Sequence, residues 1–434
     1  MQRRFRPIGS ITRIAVVVMA IVVAHANGTQ AASVMKIYGF KDPALGFRAV
    51  SGYLTAGPGV LYGYASSGLT ESGTYIPGGL FELVPPTDGN GPWVSHTLLL
   101  SPKDQSFELP LGGPLLLDVA GNLFGETTSD GPAFAGTVFE LSPPAAGSTK
   151  WTFRNIFTFR AARQGAYPTG GLTAGPNGVL YGTAQAGGHH DDGVVFSLTP
   201  PASAGDEWTE TVLWRFGLGK DGSVPYGAPA LGPGGEVYGV TGYGGVHGMG
   251  RVFMLTPPAA GASTWQETVL HDFAGTADGA TPYAGLVRDA AGTLYGIAST
   301  SGPDSYGTAY ALQPPASGDT AWSFTLLHAF SGMPDAYSPQ QPLVIQTDGS
   351  LIGISMYGGN YVPSFDGVGA IFKLTPPAVG QTAWSEKVIY NFGDLAATVG
   401  ELPGSALTSL GGALFGTTTS GGPDGHGAAF ELQP

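Results

Sequence analysis

Short apolar runs alternate along this chain with polar, glycine-rich gaps, and the alternation itself recurs. One full cycle shows the pattern. Residues 284–288 predict a first strand, 289–292 a tight turn closed by glycine, and 293–297 a second strand. A polar gap over 299–306 leads to a third strand at 308–312. Pro314 and Pro315 end it, because successive prolines can neither donate to a ladder nor extend one. Residues 322–330 predict a fourth strand. The third and fourth strands carry consecutive rather than alternating apolar residues, as a sheet covered on both faces requires.

The same phrase occurs seven times. Its centres are Leu61-Tyr62-Gly63, Leu123-Phe124-Gly125, Leu180-Tyr181-Gly182, Val237-Tyr238-Gly239, Leu294-Tyr295-Gly296, Leu351-Ile352-Gly353 and Leu414-Phe415-Gly416. A proline pair follows six of them, beginning at Pro85, Pro143, Pro200, Pro257, Pro314 and Pro376. Trp93, Trp151, Trp208, Trp265, Trp322 and Trp384 come next, spaced by 58, 57, 57, 57 and 62 residues. A fixed period means stacked supersecondary units. Free units of this length would be only marginally stable, and no capping ends of a solenoid are visible. The expectation is an all-β chain: a seven-bladed β-propeller with four antiparallel strands per blade.

The ends predict how the ring closes. Residues 33–40 match a fourth strand with nothing before it, and residues 427–432 form a third strand with no fourth after it. The N-terminal strand is therefore expected to complete the last blade and hide both open edges. A single propeller over 33–434 follows.

Ahead of it, Arg3, Arg4, Arg6 and Arg13 precede the apolar run 14–24 and then Ala24-His25-Ala26. That order predicts a signal peptide over 1–26, with cleavage as late as residue 32. The run is too short to span roughly 30 Å of hydrocarbon comfortably. The mature chain is expected to be secreted, periplasmic or on the cell surface, with no membrane span.

Composition narrows the chemistry. Charged residues are 11% and hydrophobic ones 42%, so turns punctuate a folded core rather than a disordered chain. The net charge of -13 argues against nucleic acid, whose affinity rests on basic residues. The absence of cysteine excludes disulfides, thiolate nucleophiles and thiolate metal ligands. No Gly-x-Ser-x-Gly elbow, phosphate loop or His-Glu-x-x-His occurs.

The phrase Gly-x-Leu-Tyr-Gly-x-Thr, a Gly-Gly loop, Gly-x-Val-Phe-x-Leu-x-Pro-Pro and a Trp before Val-Leu-His-x-Phe resemble the GloVer (Gloeobacter–Verrucomicrobia) tandem repeat. The likeness covers residues 34–434 and is best over 170–330. It implies an exported bacterial repeat protein, often one carrying a surface-sorting tail, and brings no catalytic residues to carry over. Pro434 ends the sequence without such a tail, which favours release over anchoring.

Candidate binding residues lie in the gaps between second and third strands, which share one face with the loops joining blades. One column reads His190, His247, Asp304 and Asp424, flanked by His189, Asp191, Asp192 and His426. Imidazoles and carboxylates suit a divalent metal, calcium included, or sugar hydroxyls; the plainer reading is a solvated loop in which Asp and His fill turn positions and cap backbone donors. Loop aromatics, Tyr243 and Tyr306 with Tyr361 and Phe365 of the long sixth-repeat loop, are candidates for stacking on a sugar. Asp221, Asp278 and Asp335 read as turn residues, and His271 and His328 as packed inside blades. The recurrent tryptophans read as packing between blades. The leading expectation is a monomeric, cofactor-free, non-catalytic propeller that binds a protein or glycan. The alternative is an extracellular carbohydrate-active hydrolase or lyase with carboxylates, His and Arg gathered over the central channel.

Overall fold

A computed structural model of the chain describes residues 32–433, except 41–51, 66–67, 70–74, 77, 88, 90, 101–111, 161–162, 204–205, 218–220, 318, 361–366 and 423–424. The expected signal peptide lies outside the described residues, as do Tyr361, Phe365 and Asp424. Residues 32–434 make one compact unit.

The unit is a seven-bladed propeller of antiparallel four-stranded sheets. In the fifth blade Val287–Arg288, Leu294–Ala298, Thr308–Gln313 and Ser323–Ala329 pair in that order. The first strand is shorter than the sequence predicts, because residues 284–286 line the axial cavity instead of pairing. Closure is as expected. Ser33–Gly39 pairs with Ala428–Gln433, which pairs with Ala413–Ser420. Thr417 Oγ1 donates to Gly52 O at 2.9 Å, tying the last blade to the first.

The glycine of each repeated phrase has a packing cause. It pairs across the ladder with an aromatic residue of the third strand, as Gly239 does with Phe253 and Gly182 with Phe196. A Cβ on Gly239 would lie 2.5 Å from the Phe253 ring, so only glycine lets the ring lie flat on the strand.

Third strands are almost wholly buried, as in Arg251–Thr256. Fourth strands differ from the expectation of cover on both faces. In Gln266–Asp272 only Leu270 is buried, since the outermost strand has no outer neighbour. A one-residue bulge puts it there: Phe253 faces Val269 and Val252 faces His271, leaving Leu270 as the extra residue. All seven blades shift register at the equivalent place.

Successive blades are latched through backbone. Thr281 N donates to Met249 O at 2.9 Å, and Tyr167, Val224, Ser338 and Leu402 repeat the bond to Ala135, Asp192, Tyr306 and Val368. All five donors have φ between 44° and 56° and precede a proline. A non-glycine residue in that region costs on the order of 1 kcal/mol, which the inter-blade bond offsets. The latch aims the next four residues at the axis.

Candidate functional site

Those residues build the axial cavity. It measures about 540 Å³ and takes lining from all seven blades, among them Tyr53, Thr169, Tyr226, Tyr283, Gln340 and Gln341. The remaining lining is glycine, proline, alanine, leucine and valine, and among the described residues it includes no carboxylate, imidazole, ammonium or guanidinium. The inner strands open on the face that carries the inter-blade loops, because in five blades the cavity residues follow the latch within a few positions.

Three tyrosines from the fourth and fifth blades cluster at this mouth. Tyr226 meets Tyr283 edge-on with ring centroids 4.5 Å apart, and the Tyr243 and Tyr283 hydroxyls are 2.5 Å apart. Tyr243 is 44% exposed, so one end of the cluster faces solvent. Burial first, then the Tyr243 hydroxyl, raises the Tyr283 phenol above its ordinary range, so it stays protonated. Across the cavity Gln341 Nε2 donates to Gly404 O at 3.4 Å. Thr169 Oγ1 is buried with no hydrogen-bond partner. Aromatic faces, amides and a free hydroxyl around a neutral cavity suit an uncharged, polyhydroxylated ligand.

Ionisable groups instead sit one or more strands outward, between blades. Glu126, on the second strand of the second blade, is 2% exposed and accepts from Gly171 N at 2.9 Å. Burial pushes its carboxyl up to about 8. Glu210, Glu267 and Glu386 occupy one position in the fourth strands of three blades, and burial raises each to about 7. Glu267 is 3.4 Å from Arg251 Nη1, while Arg251 Nη2 lies 2.9 Å from Asp272.

His190, His247 and Asp304 stand exposed at the tips of consecutive second-to-third-strand loops. Among the described residues, the one group of three or more ionisable side chains spaced for a metal does not include them. His190 lies against Gly217, where a Cβ would touch its side chain at 2.3 Å. Asp278 and Asp335 are turn residues: Asp278 accepts from Ala274 N and Gly275 N, and Asp335 from Ser331 N and Ala336 N. Each also holds a fourth-strand histidine, His271 and His328, at 2.9 Å.

Of the tyrosine mouth, Tyr243 was among the loop aromatics singled out from the sequence, and Tyr226 and Tyr283 were not. Their signal is a single repeat column reading Gly112, Thr169, Tyr226, Tyr283, Gln340 and Gly404, variable inside an otherwise fixed phrase.

The fold is shared with a protein of very different sequence. The extracellular domain of a protein described as a hybrid two component system from B. thetaiotaomicron superposes with a TM-score of 0.50 at 10% identity. That match covers 93% of this chain and 42% of the other. A protein of unknown function from Dyadobacter fermentans gives 0.44 at 12% identity, over 93% and 98% of the two chains. The sialidase of Trypanosoma rangeli gives 0.41 at 12%, over 93% and 58%. At 10% identity the first of these shares the architecture alone. No curated protein matches the sequence. The sequence profile of the Gloeobacter/Verrucomicrobia repeat matches residues 24–253, 115–362 and 225–434, spans that together take in every blade, and the chain belongs to that repeat family.

Proposed function

We propose that this propeller is a non-catalytic recognition protein, exported from the cell, that binds a neutral glycan at the mouth of its axial cavity. The observation that carries the reading is the lining itself: Tyr226, Tyr283 and Tyr53 with Gln340, Gln341 and Thr169, and, among the described residues, no side chain charged at neutral pH. Sugar rings stack on tyrosine faces through their C–H bonds while amides and hydroxyls bond the ring substituents. Hydrolysis needs two carboxylates about 5–10 Å apart, and among the described residues the cavity lining offers none. The basic, apolar, small-residue order of residues 1–26 supports export.

A glycan array and a polysaccharide-digestion screen, each with and without calcium, test the reading. Binding without product, weakened roughly tenfold by Tyr283→Ala and independent of calcium, is the expected result. Product formation would move the protein to the carbohydrate-active enzymes. Binding unaffected by Tyr226→Ala and Tyr283→Ala would place recognition elsewhere, first on the exposed His190, His247 and Asp304 loops.

A further inference from the structure

The fold builds the same histidine–aspartate pair twice. In the fourth blade His271 Nε2 lies 2.9 Å from Asp278 Oδ2, and in the fifth His328 Nε2 lies 2.9 Å from Asp335 Oδ2. What faces the imidazole from the following blade differs. Phe324 stacks on His271 with centroids 4.1 Å apart and planes at 15°, closing that position with an apolar ring. At the next seam the equivalent fourth-strand position is Glu386. Its Oε1 is buried and has no hydrogen-bond partner. The donor atoms of His328, Asp335 and Glu386 all lie within 4.8 Å of one another.

We infer that His328, Asp335 and Glu386 form a binding site for a divalent transition-series cation, Zn²⁺ above all, that staples the fifth blade to the sixth. One imidazole and two carboxylates make a three-ligand set with a fourth position left for water. The nitrogen donor and the small donor count disfavour calcium, which takes six to eight oxygens. Bonds of about 2.0–2.1 Å to a tetrahedral ion set the donors roughly 3.3 Å apart. Reaching that spacing asks for side-chain movements on the order of 1 Å.

Asp335 is already oriented for the role. Ser331 N bonds Oδ2 at 3.0 Å and Ala336 N bonds Oδ1 at 2.6 Å, so backbone fixes the carboxylate; Oδ2 also takes the Ser331 hydroxyl at 3.4 Å and His328, while Oδ1 keeps a lone pair open. His328 exchanges its bond to Asp335 for the ion. Glu386 gains the partner it lacks. The site is reachable from solvent, since the His328 side chain is 23% exposed.

The test is titration of Zn²⁺, and separately Co²⁺, into the metal-stripped chain, followed by calorimetry, visible absorption and thermal unfolding. One ion per chain, an intense tetrahedral Co²⁺ absorption and a raised melting temperature are expected. Glu386→Gln, which keeps shape, and Glu386→Phe, which copies the neighbouring seam, are each expected to weaken uptake at least about a hundredfold. Absence of uptake by the native chain overturns the inference. So does a folded Glu386 variant that binds as before, or calcium binding as tightly as zinc.

Discussion

Trp208 of the third blade packs edge-on against Phe124 of the second, with ring centroids 5.9 Å apart and planes at 65°. Trp151 meets Tyr62, Trp322 meets Tyr238 and Trp384 meets Tyr295 in the same way, and Trp93 meets Phe415 with planes tilted at 58°. Trp265 shares a cluster with Tyr181. At the remaining seam both partners are gone together: Ile352 replaces the phrase aromatic and Ala32 stands where the tryptophan would be, in one cluster. The indole is thus an inter-blade wedge whose value depends on the ring beneath it. Trp208→Ala is expected to lower stability by about 2–3 kcal/mol in urea unfolding, since the indole is only partly buried. A double cycle with Phe124→Ala should return a coupling of about 1 kcal/mol. Additive losses would refute the wedge.

Six blades place phenylalanine on the phrase glycine, and the fifth places Tyr310. Its hydroxyl is buried without a hydrogen-bond partner, and burial raises the phenol well above its ordinary range. Tyr310→Phe removes an unsatisfied group at no loss of ring packing. We expect it to raise stability by about 1 kcal/mol, seen as a higher melting temperature. A destabilised variant would mean that the hydroxyl has a partner in solution, such as an ordered water.

The repeat, the blade count and the closing strand were legible in the sequence because each is a matter of spacing. Trp93 to Trp384 mark the period, and 33–40 announces itself as a fourth strand without a blade. The wedge role of the tryptophans and the turn role of Asp278 and Asp335 were legible too. The bulge at Leu270 was not, because an added residue in one strand leaves no mark until its partner's register is known. Nor was the cavity mouth. Tyr226 and Tyr283 converge only because the left-handed residues Val224 and Thr281 turn the chain to the axis, and neither valine nor threonine favours that conformation. The His328–Asp335–Glu386 group was hidden for a related reason, as Glu386 comes from another blade.

Glu126 makes stability depend on pH in a direction opposite to that of an ordinary surface carboxylate. Its carboxyl titrates near 4.5 when exposed and at about 8 in the fold, with burial as the dominant cause. Between those values the folded chain holds a proton that the unfolded chain has released. Stability is therefore full below about pH 4.5, falls as pH rises and levels off above about 8. Melting curves at steps across that window should show a decline of several degrees. Glu126→Gln, neutral at every pH, should make the decline shallower, most clearly between about pH 7 and 8, leaving the part that Glu210, Glu267 and Glu386 contribute at lower pH. An unchanged slope in the variant would assign the dependence to other groups.

The repeated glycine offers the sharpest test of how sequence imposes packing here. Gly239 lies under Phe253, a ring with no solvent exposure that also meets Phe216 at 5.2 Å. An added methyl would stand 2.5 Å from Cζ, and a ring held from both sides cannot swing away. Gly239→Ala is therefore expected to cost about 2–3 kcal/mol, although alanine ordinarily suits a strand interior better than glycine. Shortening the ring should restore the space. Gly239→Ala with Phe253→Leu is expected to be less destabilised than the sum of the two single changes by about 1–2 kcal/mol in denaturant unfolding. If the losses simply add, the glycine is kept for its backbone rather than for the ring above it.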